Sequence, residues 1–244
     1  MARMPRSVLP GYVQHVIHRG NNGELVFRSD EDKRFYLDKL REVCRRYEVN
    51  LHSYVLMPDH VNLLLTPSTY EGLSKAAQSL GTQYVRYFNR KYDRRGTLWE
   101  GRYRATILNP EEYALVCYRF IEISPVRAGL CCHPAEYPWS SYRCNALGAR
   151  DASVTPHGLY NRLGYCGEER RKAYRALCRI PLSEPTIERV STATEKGWIL
   201  GNDAYAAVIE NKLNRRVTPI PRGGDRRSSR YKDERHSLYT PQKS

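Results

Sequence analysis

No apolar run in the sequence approaches the roughly 20 residues that a membrane-spanning helix needs, and the opening Met-Ala-Arg-Met-Pro-Arg lacks the apolar core of a secretory signal. No C-x-x-C pair occurs. The seven cysteines (Cys44, Cys117, Cys131, Cys132, Cys144, Cys166 and Cys178) are odd in number. That argues against a zinc ribbon and a secreted disulfide framework, and it suits a reducing cytosol. No internal repeat is present. Acidic residues are scarce relative to basic ones: 26 Asp and Glu stand against 40 Lys and Arg, a net charge of +14. A surplus of that size attracts polyanions. The plain alternative is a soluble protein that happens to be basic, but the charge is clustered, which favours nucleic acid. The expectation is a soluble cytoplasmic protein with neither a membrane nor a small-molecule cofactor as partner.

The chain has 244 residues and is 41% apolar, enough to bury a substantial core. Residues 12–18 are aromatic and β-branched and predict a strand, with Arg19-Gly-Asn-Asn-Gly23 as the turn after it. Ser29 or Asp30 can cap a helix reaching about residue 47. Residues 51–57 and 60–66 predict a hairpin around Pro58-Asp59. A second long helix follows over 72–92, then an extended segment over 97–108. Asn109-Pro-Glu-Glu112 is a helix start, with Pro in the first turn and acids beside it; that helix ends before Pro125. The order strand, helix, strand, strand, helix, strand, helix predicts an α+β fold of the ferredoxin-like class, an antiparallel sheet with helices packed on it. The domain is expected over 1–146. A more polar helical extension is expected over 147–214, and an Arg- and Gly-rich tail, expected to be disordered, over 215–244.

Residues 84–104, YVRYFNRKYDRRGTLWEGRYR, hold seven Arg or Lys and six aromatic residues. Cations neutralise phosphates and aromatic faces stack on unpaired bases. Tyr84, Tyr87 and Phe88 have the spacing of a helix core, whereas Arg94, Arg95, Arg102 and Arg104 flank Trp99 in a loop-to-strand segment, where nucleic-acid contact is expected. In Pro58-Asp-His-Val-Asn62, His60 and Asn62 alternate on a strand and share a face. Two histidines there could hold a divalent ion. An asparagine offers only its carbonyl oxygen, which suits Mg²⁺ better than Zn²⁺. Spacing alone favours a structural reading, with His60 at the turn and Asn62 a satisfied polar residue. On the third helix Phe120 and Ser124 are four apart and share a face. Tyr118 lies roughly 200° around the axis from Phe120.

Several stretches together carry a family resemblance: Pro10-Gly-Tyr-Val-Gln-His-Val-Ile-His-Arg-Gly-Asn-Asn22, Leu51-His-Ser-Tyr-Val-Leu-Met-Pro-Asp-His-Val-Asn62, Gly96-Thr-Leu-Trp-Glu-Gly-Arg-Tyr-Arg104 and Cys117-Tyr-Arg-Phe-Ile-Glu-Ile-Ser-Pro-Val-Arg-Ala-Gly129. Pro138-Trp-Ser-Ser-Tyr142, Lys196-Gly-Trp-Ile-Leu-Gly201 and Arg222-Gly-Gly-Asp-Arg-Arg227 extend it over nearly the whole chain. The chain resembles the REP-associated tyrosine transposases, a branch of the single-tyrosine HUH transposases of the IS200-like kind. The resemblance implies binding of single-stranded DNA folded into imperfect palindromic hairpins. It also implies Mg²⁺ or Mn²⁺ held by a His-hydrophobic-His pair and a polar helix residue, and attack by a tyrosine that leaves a 5′-phosphotyrosine and a free 3′-OH. Arg19, Asn21 and Arg127 join the DNA-contacting candidates.

The sequence departs from that pattern at three places. Asn62 stands where the family has its second histidine, Phe120 where it has the nucleophilic tyrosine, and Ser124 where it has an asparagine. Asn62 and Ser124 could still offer oxygens beside His60, but a phenyl ring carries no hydroxyl. The expectation is retained DNA binding with cleavage lost or weak, and with no metal if the site has decayed. Two alternatives stay open: an active nickase that uses Tyr118, and a non-enzymatic single-stranded DNA- or RNA-binding regulator. The oligomeric state, monomer or dimer, is not legible.

Overall fold

A computed structural model describes residues 8–218. The segments before and after, including most of the basic tail and the Arg222-Gly-Gly motif, lie outside the described residues. Four strands, β1 (Gln14–Arg19), β2 (Val49–Leu56), β3 (His60–Pro67) and β4 (Arg104–Ile107), form one antiparallel sheet in the order β2-β3-β1-β4. With α1 (Asp30–Arg46) after β1 and α2 (Gly72–Lys91) after β3, this is the split β-α-β arrangement expected from the element order.

Local chemistry sets the elements. Ser29 caps α1 by accepting from the Asp32 amide while the Asp32 carboxylate accepts from the Ser29 amide, a reciprocal capping box. That carboxylate is buried and also takes bonds from Lys91, Tyr87 and Tyr92, which ties the start of α1 to the end of α2. Hydrogen bonds hold the Asp32 carboxyl below its usual range against the opposing effect of burial. Tyr84 and Phe88 on α2 are fully buried against the sheet with Val16, Leu63 and Leu65.

One expectation fails in detail. The segment 97–108 is strand only over Arg104–Ile107. Ahead of it the chain folds on itself around Gly96 and Gly101, which take positive φ of 86° and 72°. The Gly101 amide and the Thr97 hydroxyl both bond the Trp99 carbonyl, and only a single bridge, Gly20 to Trp99, continues the pairing.

The other face of the sheet is covered by α3 (Pro110–Glu122) and by later helices: α4 (Ser124–Arg127), α5 (Tyr142–Leu147), α6 (Gly158–Asn161), α7 (Gly167–Arg179), α8 (Glu184–Lys196) and α9 (Asp203–Leu213). The segments after residue 129 do two things. They share a core with α3 through Tyr142, Tyr160, Tyr174 and Val190, and they cap both sheet edges. On the β2 edge the Leu56 amide bonds the Trp139 carbonyl at 2.9 Å, and the Thr155 amide bonds the Leu51 carbonyl at 2.7 Å. On the β4 edge the Leu200 amide bonds the Ile107 carbonyl at 3.0 Å. Gly197 ends α8 with φ 68°, a left-handed turn that sends residues 198–200 back along β4. Exposed strand edges invite pairing with other chains; here part of each edge is paired within the chain.

The bond between the two regions is centred on Glu122, fully buried at the end of α3. Its carboxyl accepts from the Ser53, Ser141 and Tyr174 hydroxyls and from the Asn145 amide. Burial pushes this carboxyl above its usual value.

Candidate active site

Antiparallel pairing places His60 opposite Arg19 and Asn62 opposite Ile17, so His15, Ile17, His60 and Asn62 share the face turned to α3 and α8. With Phe120, Ser124 and Arg127 from α3 and α4, and Ser191, Thr194 and Glu195 from α8, they line a cavity of about 280 Å³. The structure therefore brings together His60, Asn62, Phe120, Ser124, Arg127 and Arg19 from the residues singled out in the sequence.

His15 was not foreseen, and it organises the floor. It is fully buried, with Nδ1 2.8 Å from Thr194 Oγ1 and Nε2 3.1 Å from Asn62 Oδ1. Burial, opposed in part by the Asn62 bond, lowers it to about 4, so the ring is neutral at neutral pH. The Phe120 ring meets it edge-on at 5.5 Å. No local pattern announces this contact, because His15 and Thr194 are 179 residues apart.

Phe120 carries no titratable group and faces the cavity. The Arg127 guanidinium lies over its ring at 4.4 Å, and Arg127 donates to the Phe120 carbonyl at 2.9 Å and to Ser124 Oγ at 3.1 Å. Ser124 in turn donates to the Phe120 carbonyl at 2.7 Å. His60 Nδ1 lies 2.7 Å from Asp59 Oδ1, leaving Nε2 as its open nitrogen. Arg19 pairs with Glu195 at 2.8 Å across the rim.

Tyr118 points the other way. It is fully buried beside Tyr160 and Tyr174, accepts from the His157 amide at 3.1 Å, and is pushed well up from the usual phenol value by burial. Among the described residues no tyrosine lines the cavity.

The donor set does not fit a divalent ion. The Asn62 carbonyl oxygen faces His15, the Ser124 hydroxyl is bonded to a guanidinium, and the nearest carboxylate of the lining, Glu195, is paired with Arg19. Among the described residues no group of three His, Cys, Asp or Glu side chains is arranged to hold a metal. A cation in contact with one of the supposed ligands opposes a second cation.

The other DNA-contacting candidates lie apart from the cavity floor. Arg95 and Arg102 are exposed on the loop before β4. Arg94 is bonded to Glu24 at 2.7 Å, and Arg104 to Glu100 at 3.2 Å. Asn21 lies in the turn after β1, its amide bonded to the Leu98 carbonyl. Trp99 is buried, stacked on His18 at 4.0 Å and 15°, so that ring face is already occupied.

The sheet, its strand order and the α3 face define a class, the ferredoxin-like scaffold with a site between the sheet and a following helix. Residues 10–122 match the family described as transposase IS200 like. Among solved structures, one of a REP-associated tyrosine transposase bound to a REP hairpin is 16% identical, covers 64% of this chain and 93% of its own, and aligns with a TM-score of 0.51. A presumed transposase from Deinococcus radiodurans r1 is 20% identical over 47% of this chain and 92% of its own, with a TM-score of 0.35. The first shares the overall fold; at such identities neither speaks to more than fold. No curated protein matches the sequence. Among the described residues no helix is long and apolar enough to cross a membrane.

Proposed function

We propose that this protein binds single-stranded DNA folded into palindromic, REP-like hairpins and that it has lost, or nearly lost, the metal-dependent cleavage and rejoining of its family. The observation that carries the reading is the aromatic ring of Phe120 in the cavity between sheet and helix, with no tyrosine among the described residues that line that space. A phosphotyrosine intermediate needs an oxygen nucleophile within reach of the scissile phosphate. The Tyr118 alternative asks for an accessible hydroxyl, and Tyr118 is buried on the opposite side of α3. The donor set around His60 argues in the same direction, since a metal that would polarise the phosphate lacks its ligands.

DNA binding is supported by the net charge of +14 and by the exposed Arg95 and Arg102. The shared fold with a transposase held on a REP hairpin supports it further. Phosphate contacts from the loop before β4 position the DNA, and the basic tail adds contacts without sequence preference. Such a ligand places the protein on the nucleoid, in the cytoplasm.

The test is incubation with labelled single-stranded palindromic DNA and Mn²⁺. A denaturing gel reads covalent adduct and a parallel native titration reads binding. Binding at submicromolar protein without adduct is expected. An adduct would overturn the loss of chemistry, and mapping its residue would identify the nucleophile. Equal weak binding to hairpin and unstructured DNA would overturn the hairpin assignment. Tighter binding to the matched RNA would favour the regulator reading.

A further inference from the structure

The cavity has the wrong donors for a cation, and its free groups match an anion. Arg127 is the distinguishing group. Arg19 is neutralised by Glu195 and His60 is bonded to Asp59, but among the described residues no carboxylate pairs with Arg127. Its guanidinium lies over the Phe120 ring, 4.4 Å from the centroid, and is anchored at both terminal nitrogens, to the Phe120 carbonyl and the Ser124 hydroxyl. A guanidinium has five N–H groups, and two are used in these bonds. Three remain, on a plane fixed by the ring and the backbone, which is the arrangement that recognises phosphate oxygens.

The neighbours agree. With Asn62 Oδ1 turned to His15, the Nδ2 hydrogens of Asn62 are left for a ligand. His60 gives its Nδ1 proton to Asp59, so the neutral ring offers only a lone pair at Nε2 and takes no part in holding the anion. The Ser124 hydrogen is used on the Phe120 carbonyl, so the serine repels no donor and offers no ligand proton. Glu195 also lines the cavity, and its charge is met by Arg19.

We infer that this cavity is a metal-independent phosphate site, with Arg127 as its main anchor and the Asn62 amide as a secondary donor. The inference rests on the proposed DNA-binding function for its natural ligand, a phosphodiester of the hairpin. The same chemistry would accept free phosphate, and the two sources are separable.

Two measurements on the full chain test it. In the first, arginine side chains are labelled with ¹⁵N and the Arg127 Nε signal is assigned by its absence in Arg127→Lys. Inorganic phosphate is then titrated in EDTA, and Mn²⁺ separately. A saturable shift of the Arg127 signal with phosphate, and no selective broadening by micromolar Mn²⁺, is expected. No shift, or selective broadening by Mn²⁺, overturns the inference even if the hairpin binds. In the second, hairpins carrying single methylphosphonates, each removing one phosphate charge, are compared in EDTA and in Mn²⁺. One position is expected to weaken the native protein about tenfold and to leave Arg127→Ala unaffected, equally in both media. Binding that requires Mn²⁺ overturns the inference and leaves the proposed function standing. A phosphate shift at Arg127 without hairpin affinity does the reverse, assigning the site to free phosphate. Equal thermal unfolding of Arg127→Lys and the native chain guards against a folding artefact.

Discussion

Along β1, Val16 and His18 turn toward α1 and α2, while His15 and Ile17 turn toward α3 and α8. The first face is closed by Tyr84, Phe88, Leu63 and Leu65, with only small apolar gaps. The second carries a buried neutral histidine, an asparagine, a fully buried glutamate network and an open cavity. One alternating strand serves both, because successive side chains leave opposite sides of the pleat. The difference teaches where chemistry can evolve. The α1/α2 face is held by dispersion and burial, which tolerate no polar group without a partner. The α3/α8 face is held in part by hydrogen bonds among polar side chains, His15 with Asn62 and Thr194, and Glu122 with Ser53, Ser141, Asn145 and Tyr174.

The sharpest way to break the comparison is to remove the same kind of mass from each face. Phe88→Ala on the closed face should cost about 4 kcal/mol of stability, the range for deleting a buried aromatic ring, read by urea unfolding. Glu122→Ala on the polar face strands four donors and should cost about 3 kcal/mol, with Glu122→Gln retaining much of it. pH separates the two. Burial raises the Glu122 carboxyl, so the fold favours its protonated form. Relative to Glu122→Gln, the native chain is therefore most stable below the ordinary carboxylate value and loses that advantage as pH rises through the raised one. Phe88→Ala should show no such dependence beyond the native one.

His15 runs in the opposite sense. Its value lies near 4 against an ordinary 6.5, so its contribution is complete above about pH 6.5 and is lost as pH falls toward 4, a loss on the order of 2–3 kcal/mol. A His15→Gln chain should lack this acid sensitivity; equal acid unfolding of both would refute a neutral, bonded His15. The smallest effect belongs to the rim. Glu195→Gln breaks a half-exposed ion pair with Arg19 and should change stability by less than about 1 kcal/mol, while adding positive charge to the cavity and steepening the salt dependence of DNA binding.

Much of the scaffold was legible. Ser29 announces the α1 start, Pro58-Asp59 the hairpin and Pro110 the α3 start, each through a local conformational preference that survives in the fold. The segment 97–103 was misread as extended because its aromatic and basic residues resemble a strand, while Gly96 and Gly101 release the chain into a loop. Within the site, the alternation of His60 with Asn62 and the four-residue spacing of Phe120 and Ser124 placed those residues correctly on shared faces. The opposite orientation of Tyr118 also follows from helical geometry. Trp99 reads as a stacking platform in the sequence and is a core residue in the fold, since exposure depends on what packs above it.

By itself the sequence determined the class of scaffold, the excess of positive charge and the spacing that sets His60 with Asn62 and Phe120 with Ser124. Periodicity, capping and composition act within a few residues and need no partner from afar. Only the tertiary structure decided that His15 and Thr194 close the cavity floor, that Glu122 binds the later helices to the sheet, and that the Arg127 guanidinium lies over the Phe120 ring. These contacts join residues far apart in the chain or depend on how side chains turn in the packed fold, and neither leaves a local mark in the order of amino acids.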